Sequence, residues 1–119
     1  MLEIPQYPNL DNCFYITSAG KMSMYECVPI SYINDSIKIK GETRFAISVT
    51  FNLLNASYGM QCVKTFHYTN NEWVSADKQF FTNIIDAIWL LERQVTFKNE
   101  AMFKDVVKQF SKKYPEILL

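Results

Sequence analysis

Residues 45–53 alternate without a break. Phe45, Ile47, Val49, Phe51 and Leu53 fall on one parity, and Ala46, Ser48, Thr50 and Asn52 on the other. A period of two sustained over that length predicts a half-buried strand. Cys13 to Ser18, rich in aromatic and β-branched residues, predicts a shorter one. Met22 to Ile33 reads as extended, with Pro29 demanding an edge position or a bulge because it has no N–H to give a ladder. Turn signals separate the runs: Ser18-Ala-Gly-Lys21, Asn34-Asp-Ser36, Lys40-Gly-Glu42 and Asn70-Asn71. Ile37 and Ile39 alternate with lysines between two of these turns. After Asn55-Ala-Ser-Tyr-Gly59, Met60 to Thr69 is extended again, with Cys62, Phe66 and Tyr68 on one face and Val63, Thr65 and His67 on the other. Glu72-Trp73-Val74 pairs back as a short strand. Residues 1–11, with two prolines, form an irregular lead-in.

The period changes after Val74. Over residues 76–94 the positions of Phe80, Ile84, Ala87, Ile88 and Leu91 make one broad helical face, with Phe81 and Ile85 at its border. Ser75 or Asp77 is expected to cap this helix. A second helix is expected over 99–113, capped by Asn99, with Met102, Phe103, Val106, Val107 and Phe110 as its stripe and Pro115 as its stop. The apolar tail, residues 114–119, is expected to dock on the body. Short turns make the strands antiparallel. The fold class is therefore α+β: a mostly antiparallel sheet of about five strands over 12–74, followed by two amphipathic C-terminal helices packed on one face.

At 119 residues, one domain spanning 1–119 accounts for the chain. With 49% apolar residues it has enough material for a core, which excludes disorder. Twelve basic residues balance twelve acidic ones, so neither a nucleic-acid binder nor an acidic mimic is expected. The best basic cluster, Lys38, Lys40 and Arg44, is interrupted by Glu42. The start of the chain has no basic and apolar leader, and no run approaches the length of a membrane helix, so a cytoplasmic protein with no membrane partner is expected. Cys13, Cys27 and Cys62 lack paired spacing and read as reduced core thiols. Ten lysines and nine asparagines against two arginines suggest an A/T-rich coding genome, which fits a bacterial or phage source.

Chemistry is sparse. His67 is the only histidine, and its parity sets it opposite Cys62, which disfavours a nucleophile pair. No metal-ligand spacing and no phosphate-cradling glycine motif occurs, so neither metal, cofactor nor catalytic residue is assigned. Glu92 falls on the border of the first helix's apolar face and, with Tyr68 and His67, is the polar candidate for a small-ligand pocket. Leu90 projects from the middle of the polar face of that helix, with Trp89 at its edge. A helix with one buried face needs neither there. Cover by another part of the chain, a homodimer contact, or a partner-binding surface would each explain them, and Trp89, Leu90 and Trp73 are the candidate partner-binding residues.

In size, composition and lack of an active site, the chain resembles in kind the immunity proteins and inhibitors encoded beside bacterial toxins. The resemblance implies a small non-enzymatic binding protein that occupies a toxin or effector in a heterocomplex by steric blocking. A secretion chaperone or adaptor, or a small-ligand-binding α+β domain, is the alternative.

Overall fold

The computed structural model describes residues 5–17, 22–56, 59–75 and 77–118. In chain order they form β1 (Cys13–Thr17), β2 (Ser23–Ile39), β3 (Glu42–Leu53), β4 (Gln61–Thr69), β5 (Glu72–Ser75), β6 (Phe80–Phe81), α1 (Ile84–Arg93), α2 (Glu100–Ser111) and a closing 3-10 turn, Pro115–Leu118. The described strands make one antiparallel six-stranded sheet in the order β5-β4-β3-β2-β1-β6. The helices follow it, so the α+β architecture expected from the hydrophobic pattern is present.

Two tight turns set the meander. Lys40 and Gly41 have φ of 51° and 82°, and Asn70 and Asn71 have 51° and 64°. Two successive left-handed residues give the hairpin turn whose twist matches that of the strands it joins. The turn expected at Asn34-Asp-Ser36 does not form. β2 runs straight through it, because Asn34, Asp35 and Ser36 pair with Ile47, Ala46 and Phe45 of β3, and cross-strand pairing outweighs local turn preference. Pro29 sits at a register shift between β2 and β3, the bulge its missing N–H requires. The turn expected at Ser18 to Lys21 lies outside the described residues.

The first helix is shorter than the 76–94 expected. It begins at Ile84 and is capped by Asn83, whose Oδ1 accepts from the Ile85 N–H at 2.7 Å. Neither Ser75 nor Asp77 caps it: Asp77 accepts instead from the Gln79 N–H at 2.8 Å and closes a turn. Phe80 and Phe81 belong to a sixth strand rather than to the helix, pairing with Tyr15 and Phe14 of β1. The second helix starts after Asn99 as expected. The Asn99 side chain, however, accepts from Thr96 N–H at 2.6 Å and donates to the Gln94 carbonyl at 3.2 Å, and so ties the interhelical loop rather than the helix end. Met102, placed in the apolar stripe, is exposed.

β5 and β6 are opposite ends of the strand order, yet only residues 76–79 separate them in the chain. That short link obliges the sheet to curl. The Phe80 ring on β6 consequently lies 5.0 Å from Phe51 of β3 and 5.7 Å from Phe66 of β4. Inside the curl, Leu10, Cys13, Cys27, Ile47, Val49, Phe51, Leu53, Phe66 and Phe80 form one core. A second core lies outside it, where Phe14, Ile16, Met22 and Met24 meet Ile84, Ala87, Ile88 and Leu91 of α1 and Val106 and Phe110 of α2. β1 therefore has apolar cover on both faces, Cys13 on the inner and Phe14 and Ile16 on the outer. The lead-in straps the inner face: Tyr7 stacks on Tyr32 of β2 at 5.1 Å, Leu10 is buried, and the Trp73 indole of β5 donates to the Gln6 carbonyl at 2.7 Å.

Candidate binding surface

The length of β2 creates the main unpartnered feature. β1 pairs with it from Ser23 to Cys27, and β3 pairs with its other side from Cys27 to Ile39. From residue 28 to residue 39, the β1 side of β2 therefore has no strand partner among the described residues. β4 reaches β3 only as far as Ala46, so residues 36–45 project as a two-stranded arm. Along this edge Ile30 is 48% exposed, Tyr32 38% and Ile33 64%. A long edge without a strand partner is a template for strand pairing; Pro29 interrupts its beginning, and Tyr7 of the lead-in touches it by stacking on Tyr32 and donating to Asn34 Oδ1.

The residues expected to bind a partner separate. Trp89 stands on α1 at 58% exposure. Leu90, read as a solvent-facing anomaly, is half-buried and packs on the outer core, to which Ile117 of the tail also adds. Trp73 is half-buried against the inner core. Its ring meets Tyr68 edge-on at 5.2 Å, and its N–H holds the lead-in. Trp89 and Leu90 are neighbours on α1, whereas Trp73 belongs to β5.

The pocket candidates also lie apart. Tyr68 is on the inner face of β4 beside Trp73, and His67 is on the outer face, level with Ala46 and Val74. Glu92 is exposed on α1. All three thiols are on the inner face, so none faces His67. Burial pushes the Cys13 thiol up to about 12, with the Asp11 charge adding to it. Burial likewise raises Cys27 and Cys62, and the raised values hold these thiols in the protonated, poorly nucleophilic form. Among the described residues, no group of three or more His, Cys, Asp or Glu is placed to hold a metal ion. No described helix is long and apolar enough to cross a membrane.

Sequence reasoning missed Ile30, Tyr32 and Ile33 as an edge, and Phe97, which is 96% exposed in the interhelical loop. The signal for the edge was present. Ile33, Ile37 and Ile39 keep one parity through the supposed turn at Asn34, so a period-two count carried across it would have joined the two halves. Comparison of the chain with protein-family models, with curated proteins and with solved structures gives no match.

Proposed function

We propose that the chain is a small, cytosolic, non-enzymatic binding protein that occupies a partner protein, in the manner of an immunity protein or inhibitor. The observation that carries this reading is the open β2 edge over residues 28–39, continued into the projecting arm. An edge of this kind supplies backbone hydrogen bonds for affinity and alternate side chains for selectivity. Ile30, Tyr32 and Ile33 add exposed apolar contact, and Trp89 on α1 offers a separate aromatic anchor. The buried thiols, the isolated His67 and the scattering of Glu92, Tyr68 and His67 favour binding over catalysis or a small-ligand pocket.

The same edge also suits an adaptor that holds an extended effector segment. An obligate homodimer carrying one segment would favour that reading, and a one-to-one heterocomplex the first. The test is capture from the native host with tagged chain, sized by light scattering and identified by mass spectrometry, run beside Ile33→Lys and Trp89→Ala. One stoichiometric partner, lost with Ile33→Lys, supports the proposal. Bare monomer in every sample overturns it, and loss with Trp89→Ala alone moves the surface to α1.

A further inference from the structure

We propose that the groove between α2 and the closing turn accepts an acidic amphipathic helix of another protein, with its apolar stripe on the groove and its carboxylates along a row of lysines. The groove shares no residue with the β2 edge, and the proposal does not rest on that edge. Its volume is about 410 Å³, within the range of ligand sites, and its lining is almost entirely apolar. Phe103 and Val107 form one wall, half-buried and resting on the outer core. Leu118 of the closing turn, 66% exposed, forms the other. Lys104 and Lys108 stand on the rim, and Lys112 continues their spacing of four residues, which sets all three along one side of the helix.

Two properties of the walls select the occupant. The first is that they have few hydrogen-bonding groups to give. The α2 backbone is spent within the helix, the Ser111 hydroxyl donates to the Lys108 carbonyl, and the Ile117 N–H donates to the Tyr114 carbonyl. An extended segment would lay its own N–H and C=O groups on apolar walls that return no hydrogen bond, whereas a helix brings its backbone already satisfied. The second is charge. Lys108 and Lys112 have no ion pair among the described residues, and Lys104 has only the exposed Glu100, at 3.3 Å, a pair worth little in water. Asp105 and Glu116 belong to other surfaces: Asp105 lines a cavity with Met102 and Gln109, and Glu116 a cleft with Asn83 and Ile84. An apolar side chain flanked by carboxylates fits this groove, and one flanked by lysines is repelled. A lipid surface takes up apolar side chains that protrude, whereas a groove receives them, so the concave floor favours a protein segment.

The probe is the peptide acetyl-Ala-Ala-Leu-Glu-Ala-Leu-Leu-Glu-Ala-Leu-Glu-Ala-Ala-amide, whose leucines make one helical stripe with the glutamates beside it. It is titrated to about 2 mM into the full chain labelled with nitrogen-15 and followed by NMR. Saturable shifts centred on residues 103–111 and 117–118 are expected. The same peptide with its interior alanines replaced by proline cannot hold the helix and should bind at least about tenfold more weakly. The peptide with lysine in place of glutamate should give no shifts there. Lys108→Glu and Lys112→Glu are exposed changes that leave the spectrum of the fold intact, and each should weaken binding about two- to fivefold. Leu118→Ser removes one wall and should weaken it at least about fivefold. The proposal is overturned by absence of shifts, by equal binding of the proline or lysine peptide, by unchanged affinity in Leu118→Ser, or by shifts along residues 28–39 instead. Co-sedimentation with phosphatidylserine vesicles in place of peptide binding also overturns it and makes this face a lipid surface. Those outcomes leave partner capture through β2 standing, whereas a bare monomer in the lysate experiment leaves this titration standing.

Discussion

Lys64 and Asp77 make an ion pair at the closed end of the curl, with side-chain exposures of 13% and 30%. The Lys64 ammonium also lies 4.2 Å above the Tyr15 ring, a cation–π contact that shares its charge with an otherwise apolar wall. Burial by itself would raise the Asp77 carboxyl. The hydrogen bonds from Lys64 and from the Gln79 amide, together with the Lys64 charge, outweigh it and hold Asp77 below the ordinary carboxylate range. A depressed folded pKa stabilises the fold above the unfolded value of about 3.9, and that contribution is lost as pH falls through the lower folded value. Asp77→Asn should therefore destabilise by about 1–3 kcal/mol near pH 7, with the gap to wild type shrinking below about pH 4. Urea melts of both proteins at the two pH values measure it, and an unchanged gap would refute the pairing. Asp77 also shows where residue-level reading stops. As an Asp before an amphipathic run it has the chemistry of a helix cap, and it spends that chemistry on the turn at Gln79 and on Lys64. Asn83, equally visible, takes the cap. Asn55 is another such residue: its side chain ties the β3–β4 loop to β2, accepting from the Glu26 N–H and donating to the Met24 carbonyl, both at 2.8 Å. Nothing in its local sequence separates that role from an ordinary loop asparagine.

At the scale of elements, β2 and β3 carry two kinds of stability along one ladder. Residues 46–52 of β3 are paired on both sides, whereas 42–45 are paired only with β2. A two-stranded ribbon is marginal on its own in water. Amides of residues 36–45 should therefore exchange through local opening, at least about a hundredfold faster than those of 47–51, which open only with the whole fold. Native-state hydrogen exchange reads this directly, and uniform protection would overturn it. The strongly periodic strand over 45–53 was legible because one face is buried throughout, from Ile47 to Leu53. The extent of β2 was not, because Asn34, Asp35 and Ser36 look like a turn until β3 is set beside them. β6 was hidden for a related reason. Phe80 and Phe81 fit the apolar face of the helix that follows, and two residues are too few to show a period. Only the position of β1, far away in sequence, distinguishes the alternatives.

At the scale of the whole molecule, two cores share one strand. Phe80 holds the inner core closed by touching rings on β3 and β4, while α1, α2 and the tail close the outer one. Phe80→Ala should cost about 3–5 kcal/mol, since it opens a cavity and releases the β6 edge together. Phe97→Ala, at a residue with almost no cover, should change stability by no more than about 0.5 kcal/mol. Chemical denaturation compares the two, and similar losses would contradict the placement of Phe80. The architecture as a sheet with following helices could be read from periodicity. The curl could not, because it depends on the short link from β5 to β6 meeting a partner at the other end of the chain. That pairing has a consequence for synthesis on the ribosome. β2 to β5 can zip as successive hairpins while the chain emerges, each using a neighbour already made. β1 is made first but waits for Phe80 and Phe81 before its second edge is paired, and for both helices before Phe14 and Ile16 are covered. The first strand of the sheet is thus among the last to have both edges and both faces covered.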